Sequence, residues 1–163
     1  MIQKTLVLIK PDGVKRSLTG RILQRFEDAG LKIVAMRMQW IDKDFAGKHY
    51  TEDIALRRGE QVRKWLIDYV TEGPIFAMVL EGVNAVDVVR KIVGTTEPAG
   101  ALPGTIRGDF AHISYAHADS KQIPIKNLIH ASGNAEEAKQ EVALWFNEKE
   151  IHEYKTVHEE LIY

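Results

Sequence analysis

A chain of 163 residues fits one domain, 1–163, with enough length to bury a substantial core. Its 22 lysines and arginines nearly balance 23 aspartates and glutamates, so no net field points to nucleic acid or an acidic membrane surface as the main partner. With no cysteine, the chain excludes disulfides, thiolate metal sites and a cysteine nucleophile, which suits a reducing cytoplasm.

The N-terminus, MIQKTLVLIKPDG, has an unbroken apolar run only from Leu6 to Ile9. That is far too short for a signal sequence or membrane span, and it reads as a central strand ended by Pro11, Asp12 and Gly13. TGRILQRFEDAG sets Ile22, Leu23, Phe26 and Ala29 at helical spacing and closes on Gly30 as a cap. LKIVAMRMQWI alternates at Val34, Met36, Met38 and Trp40 and reads as a long strand. Residues 43 to 50 and about 60 to 72 read as helices, PIFAMVLEG as a strand, and NAVDVVRKIVG as a short helix with Val86, Val89, Ile92 and Val93 on its apolar side. TTEPAGALPGTIRGDF holds too much Gly and Pro for either element.

AHISYAHADSKQIPIKN then predicts two short strands around a turn at Ala118 to Lys121, the second demoted to an edge by Pro124. Leu128 and Ile129 read as the end of a buried strand that stops at His130. Asn134 followed by Glu137 predicts a capping box opening a helix over about 135 to 147. The order approximates the βαββαβ pattern of a ferredoxin-like sandwich. The fold class expected is therefore α+β within the broad α/β type: a four-stranded antiparallel sheet with helices around it and an extra hairpin at about 111–126. A doubly wound parallel sheet is disfavoured by the few strands and the long loop at 94–109.

His130 stands at a strand-to-loop junction, where a rigid scaffold presents a side chain to a cleft. GALPGTIRG resembles a phosphate-binding loop but lacks the Gly-Lys-Ser/Thr ending of a Walker motif. It offers Thr96, Thr105 and Arg107, with Arg90 on the preceding helix, and guanidinium groups bind phosphate in a bidentate manner. Taken singly, each arginine reads as a solvated surface residue; together beside one loop they point to an anion. Lys10 must carry its charge out of the core at the sheet's end, either to water or to an anionic ligand. His112 with His117, and His152 with His158, lack familiar ligand spacing, so no protein-held metal is expected. The aromatic pattern of an RNA-binding sheet is missing.

LVLIKPDGVKR, GRILQRFEDAGLKIV, KHY, GPIFAMVLEG, TTEPAGALPGTIRGDF, NLIHAS and AEEAKQEVALWF, in that order over nearly the whole chain, resemble nucleoside diphosphate kinases. The resemblance implies ping-pong transfer of the γ-phosphate of a nucleoside triphosphate to a nucleoside diphosphate through phosphorylated His130, with broad base specificity. By the same resemblance Glu141 would hydrogen-bond the ring's other nitrogen and Ser132 would be the nearby hydroxyl. Lys10 and Tyr50 would contact the transferring phosphate, Arg90, Thr96 and Arg107 the phosphates behind it, and Asn127 the sugar. Mg²⁺ would be held mainly by nucleotide phosphates. The alternative is a catalytically weak or inactive nucleotide-binding module on the same fold.

Three departures stand out. Gly133 occupies the place where the family usually has an aspartate after the histidine and serine. Val62 falls near the place of the phenylalanine that stacks on the base, with Leu66 beside it, in a hairpin lengthened near 52–61. The segment between GDF and Asn127 is about ten residues longer than the family norm, a surface insertion or one that leans over the nucleotide cleft. The Pro98 region and the C-terminal ELIY resemble subunit contacts of family hexamers, so the expected assembly is a homo-oligomer, hexamer favoured over tetramer, soluble and without a membrane.

Overall fold

The computed structural model describes residues 1–162; Tyr163, the end of ELIY, lies outside the described residues. Strand β1 (Ile2–Ile9) buries Leu6, Val7, Leu8 and Ile9 completely, because both faces of a central strand are covered. Pro11 opens a short helix, α1 (Pro11–Lys15), where only a turn was expected: its missing N–H costs nothing at a first helical position. Then follow α2 (Thr19–Asp28), β2 (Lys32–Gln39), α3 (Lys43–His49), α4 (Glu52–Arg58) and α5 (Glu60–Thr71). The chain continues through β3 (Ile75–Val83), α6 (Ala85–Val93), a 3₁₀ turn (Pro98–Gly100), α7 (Ile106–Phe110), α8 (Tyr115–Ser120), β4 (Ile129–Ala131), α9 (Ala135–Trp145), a second 3₁₀ turn (Glu148–Glu150) and α10 (Val157–Ile162).

The four strands form one sheet in the order β2-β3-β1-β4, with every pairing antiparallel. Leu6 and Leu8 of β1 point into a core with α3, α5 and α9, where Ala46, Val70 and Trp145 pack; Val7 and Ile9 point the opposite way, to Ile22 and Phe26 of α2 and Val89 of α6. Helices therefore cover both faces of the sheet. No helix among the described residues is long and apolar enough to cross a membrane.

Three expectations are corrected. The hairpin at 111–126 is a helical turn: the Ser114 hydroxyl accepts from the His117 N–H at 3.2 Å and caps α8, Ala118 is buried, and residues 111–126 hold no strand. The Gly- and Pro-rich loop contains α7, capped by Thr105, whose hydroxyl accepts from Gly108 N–H at 3.0 Å. Leu128 lies outside the last strand, in the left-handed region at φ 71°, and His130 is the central residue of β4 rather than its end. Leu128 and Ile129 both face the α2/α6 core, which strict alternation forbids.

The alternation expected for β2 is also interrupted. A bulge between Ile33 and Ala35 buries both Val34 and Ala35 and leaves Met36, Met38 and Trp40 exposed.

The α7 segment has no room for a side chain at Gly108, where a Cβ would stand 2.1 Å from the Leu102 carbonyl oxygen. Because this contact is with backbone, Gly108→Ala is expected to destabilise the fold by about 3 kcal/mol and to displace the neighbouring Arg107. An unchanged urea midpoint would contradict that account.

Candidate active site

The first turn of α9 aligns the site. Asn134 caps the helix by accepting from Glu137 N–H at 2.9 Å, and the Glu137 carboxylate reaches back to Gly133 N–H at 3.1 Å, one residue earlier than a standard capping box. One turn further on, Glu141 faces β4. His130 pairs with Leu8 across the sheet, so its ring points to the face that α3 and α9 cover.

His130 Nε2 lies 2.9 and 3.0 Å from the two Glu141 oxygens, and the Ser132 hydroxyl donates to Glu141 Oε2 at 2.6 Å. Ser132 is fully buried behind the carboxylate and accepts from Leu6 N–H, so it holds Glu141 and does not face the cleft. With the Nε2 proton donated to a carboxylate, the neutral ring keeps its lone pair on Nδ1. Burial disfavours the Glu141 charge, yet the adjacent His130, its hydrogen bond and the Ser132 hydroxyl hold the carboxyl well below the usual range.

His130 and Glu141 line a cleft of about 1060 Å³ together with Lys10, Tyr50, Val62, Leu66, Arg90, Thr96, Arg107 and Asn127. Every side chain expected at the site except Ser132 and Thr105 thus borders one cavity. Lys10 is 5% exposed and donates to Asn127 Oδ1 at 2.9 Å; burial and then the Arg107 charge pull its pKa down to about 7, against the attraction of Asp12. Arg107 donates to four backbone carbonyls, those of Gly94, Thr95, Asn127 and Ile129, so most of its five N–H groups clamp loops together. Burial lowers it to about 10, which still leaves it charged at neutral pH. Asn127 is similarly engaged: its amide donates to the Thr96 carbonyl at 3.0 Å. Burial, then Glu141, raise the Tyr50 phenol, whose hydroxyl has no partner among the described residues.

The glycine loop does not cradle an anion. Gly104 N–H is donated to Asp109, Gly100 N–H to the Glu97 carbonyl and Gly108 N–H to Thr105, and none of the three borders the cleft. Thr95 and Gly94 border it instead.

Sequence reasoning passed over two members, His49 and Asp12. His49, in KHY, packs edge-on against His130; Asp12, read as a turn former, accepts from the Tyr69 hydroxyl at 2.7 Å and from Leu128 N–H at 3.1 Å. Trp65 borders the cleft with Val62, and the insertion at about 111–126 supplies Tyr115, Asp119, Ile123 and Pro124 to its lining. Only the place of KHY ahead of the long hairpin hinted at His49. His49, His130 and Glu141 bring ligand-type atoms within 4.8 Å of one another, but the proton between His130 and Glu141 already satisfies that pair without an ion.

The nucleoside diphosphate kinase family model matches residues 3–151. The chain belongs to the nucleoside diphosphate kinase family. It is 47% identical over 156 residues to the nucleoside diphosphate kinase of Borreliella burgdorferi, covering 95% of this chain and 93% of that one. To the nucleoside diphosphate kinase of Pyrococcus horikoshii it is 50% identical over 153 residues, covering 93% and 90%. Among solved structures, a transition-state mimic of the Borrelia burgdorferi nucleoside-diphosphate kinase with bound vanadate and ADP superposes with a TM-score of 0.95 at 46% identity, covering 97% and 95% of the two chains. A Halobacterium salinarum nucleoside diphosphate kinase in complex with CDP gives 0.85 at 36% identity, covering 100% and 99%.

The buried His49 gives this nucleoside diphosphate kinase family site a pH signature. Burial first, then the competition with His130 for a second ring charge and the nearby Lys10 ammonium, lower its pKa from 6.5 to about 3, against the pull of Glu141. Between these values the unfolded chain binds a proton that the folded chain refuses, so stability is lost as pH falls through that window. Glu141 adds its own loss only below the ordinary pKa of 4.5. Urea midpoints are expected to fall from pH 6.5 to 5 in the native protein and to stay nearly level over the same range in His49→Phe.

Proposed function

We infer that the protein transfers the γ-phosphate of a nucleoside triphosphate to a nucleoside diphosphate, with Nδ1 of His130 as the phosphate carrier. The observation that carries this reading is the Glu141 carboxylate locked on Nε2, which leaves Nδ1 as the ring's nucleophilic nitrogen in a cleft lined by Lys10 and Arg107. In the first half-reaction the Nδ1 lone pair attacks the γ-phosphorus as the bond to the β–γ bridging oxygen breaks and the diphosphate leaves. In the second, a β-phosphate oxygen of another nucleoside diphosphate takes the phosphoryl group and returns the electron pair to Nδ1. The Nε2 proton never leaves the ring, and Glu141 stabilises the positive charge that the ring gains on phosphorylation. A binding module without chemistry has no use for a carboxylate and a hydroxyl aligned behind an imidazole.

Lys10, Arg90 and Arg107 carry the cationic side of the cleft, and Tyr50 offers its unpartnered hydroxyl to the transferring group. Thr96 and Asn127 border the phosphate and sugar positions. The base would pack on Val62, Trp65 and Leu66, which border the cleft together with Ile123 and Pro124 of the insertion, an apolar lining that suits every base. The lengthened segment is therefore a cleft wall.

Mg²⁺ fits this donor set as an ion carried in on the nucleotide. Of the four carboxylates that border the cleft among the described residues, Asp53 is tied to Arg57, Glu141 to His130, and Glu137 to Gly133 and Asn134; only Asp119 is left over, so they form no ready oxygen cage. When bound, the ion neutralises phosphate charge. Glu137, whose oxygen lies 2.5 Å from where a side chain at Gly133 would begin, is the carboxylate that would face such an ion through water.

The homo-oligomer expected from the resemblance is supported by the exposed β2 edge, where Met36, Met38 and Trp40 form an apolar row that a second copy would cover; the hexamer remains the favoured assembly. A cytoplasmic setting suits an enzyme of the nucleotide pool.

Mixing the protein with Mg-ATP is expected to place acid-labile phosphate on His130 stoichiometrically, and each nucleoside diphosphate is expected to discharge it. His130→Gly should bind nucleotide and carry no label; transfer surviving in that variant would sink the mechanism. Nucleotide binding should also take up a proton at pH 8, because a phosphate beside Lys10 restores the charge that burial lowers to about 7. Calorimetry in buffers of different ionisation enthalpy is expected to show an uptake approaching about one proton, lost in Lys10→Met.

A further inference from the structure

The phosphoryl-transfer scheme leaves His49 unused, although it is the side chain most closely stacked on the reacting ring. It ends α3 with its side chain 1% exposed, and its ring meets His130 edge-on, with centroids 4.6 Å apart at 84°. On its other sides lie the Tyr50 ring at 4.7 Å and the Trp145 ring at 5.7 Å.

One hydrogen bond orients it. The Trp145 indole N–H donates to His49 Nδ1 at 3.2 Å, so that nitrogen carries the lone pair and the proton resides on Nε2. The Glu141 oxygen is 3.9 Å from the same Nδ1, beyond hydrogen-bonding distance; the carboxylate is bounded by the His49 ring and bonded to His130 and Ser132. The lowered pKa described above agrees with a neutral ring, and a neutral ring adds no repulsion when His130 becomes cationic on phosphorylation. A purely apolar residue would fill the space and orphan the buried indole N–H. Histidine does both jobs: it accepts the indole proton and presents a flat, uncharged edge to His130.

We propose that His49 is a positioning residue for phosphoryl transfer: anchored by the Trp145 indole, it fixes the plane of the His130 imidazole so that Nε2 stays on Glu141 and Nδ1 stays presented to the phosphate. The proposal rests on the reading of His130 as the phosphate carrier. An imidazole bonded only through Nε2 can still tilt about that bond and about its link to the backbone. In-line attack tolerates little misplacement, so such tilt lowers the chemical step without touching the nucleotide contacts.

The test uses the full chain with Mg-ATP, rapid-quench measurement of the first labelling of His130, nucleotide titration and nitrogen NMR of the His130 tautomer. His49→Leu is expected to slow labelling roughly tenfold to a hundredfold, to leave nucleotide affinity within about twofold, and to mix the His130 tautomers. His49→Gln, whose side-chain oxygen can accept the indole proton, should recover most of the rate. Should His49→Leu not fold, Trp145→Phe removes the anchor while keeping the ring and is expected to slow labelling in the same way. Labelling at the native rate with an unmixed tautomer in the folded variants would overturn the proposal. A native protein that takes no label would instead overturn the reading of His130, and the proposal with it.

Discussion

Leu128 is a buried, fully apolar residue held at φ 71°, a conformation that costs a non-glycine residue about 1–3 kcal/mol. Everything at the site hangs on that kink. Lys10 N–H donates to the Leu128 carbonyl at 2.8 Å, Asp12 accepts from Leu128 N–H, the Tyr69 hydroxyl accepts from Asn127 N–H, and Arg107 holds the carbonyls on either side. The kink turns Asn127 toward Lys10 and lets β4 begin at the next residue, in register for His130 to fall opposite Leu8. Burial of Leu128 against the α2/α6 core offsets the backbone cost, since a side chain of this size removed from water contributes about 1.5–3 kcal/mol.

The same hydrogen bonds explain how so many polar groups lie under the surface. Lys10, Asn127, Ser132 and Arg107 are all less than 9% exposed, and each has protein partners. Two buried cations with no carboxylate in ion-pair contact among the described residues are costly, and Lys10 responds by losing proton affinity. On the proposed reading that cost is tolerable, because phosphates bound in the cleft would supply the counter-charge. Glu141 is handled oppositely: it receives a hydroxyl and an imidazole proton, and stays ionised despite its burial.

The sheet was legible because its signals are local. Four apolar residues ending at Pro11 make a central strand, and the valines of α6 at helical spacing make a helix, whatever else the chain does. His130 and Glu141 were legible as a pair only through the family resemblance. The failures came where one side chain redirects the backbone. Ser114 starts a helical turn in a stretch whose apolar alternation reads as strand, and Leu128 adopts a conformation that no residue preference announces. His49 was missed for a different reason: nothing in KHY tells that a tryptophan 96 residues later will donate to it.

The departures from the family pattern make physical sense once Glu137 and the insertion are considered together. Gly133 brings no carboxylate, but Glu137, one helical turn into α9, occupies the space that a side chain at 133 would need and is tied there by two donors. The negative charge is therefore kept at nearly the same place, supplied from a helix in place of a loop. The insertion adds Tyr115, Ile123 and Pro124 to the lining of the cleft that Val62 and Trp65 also border. In both cases atoms of similar character reach the cleft from a different residue. That is the expected behaviour of a site whose task is positioning and charge, since neither depends on which element of the fold delivers the atom.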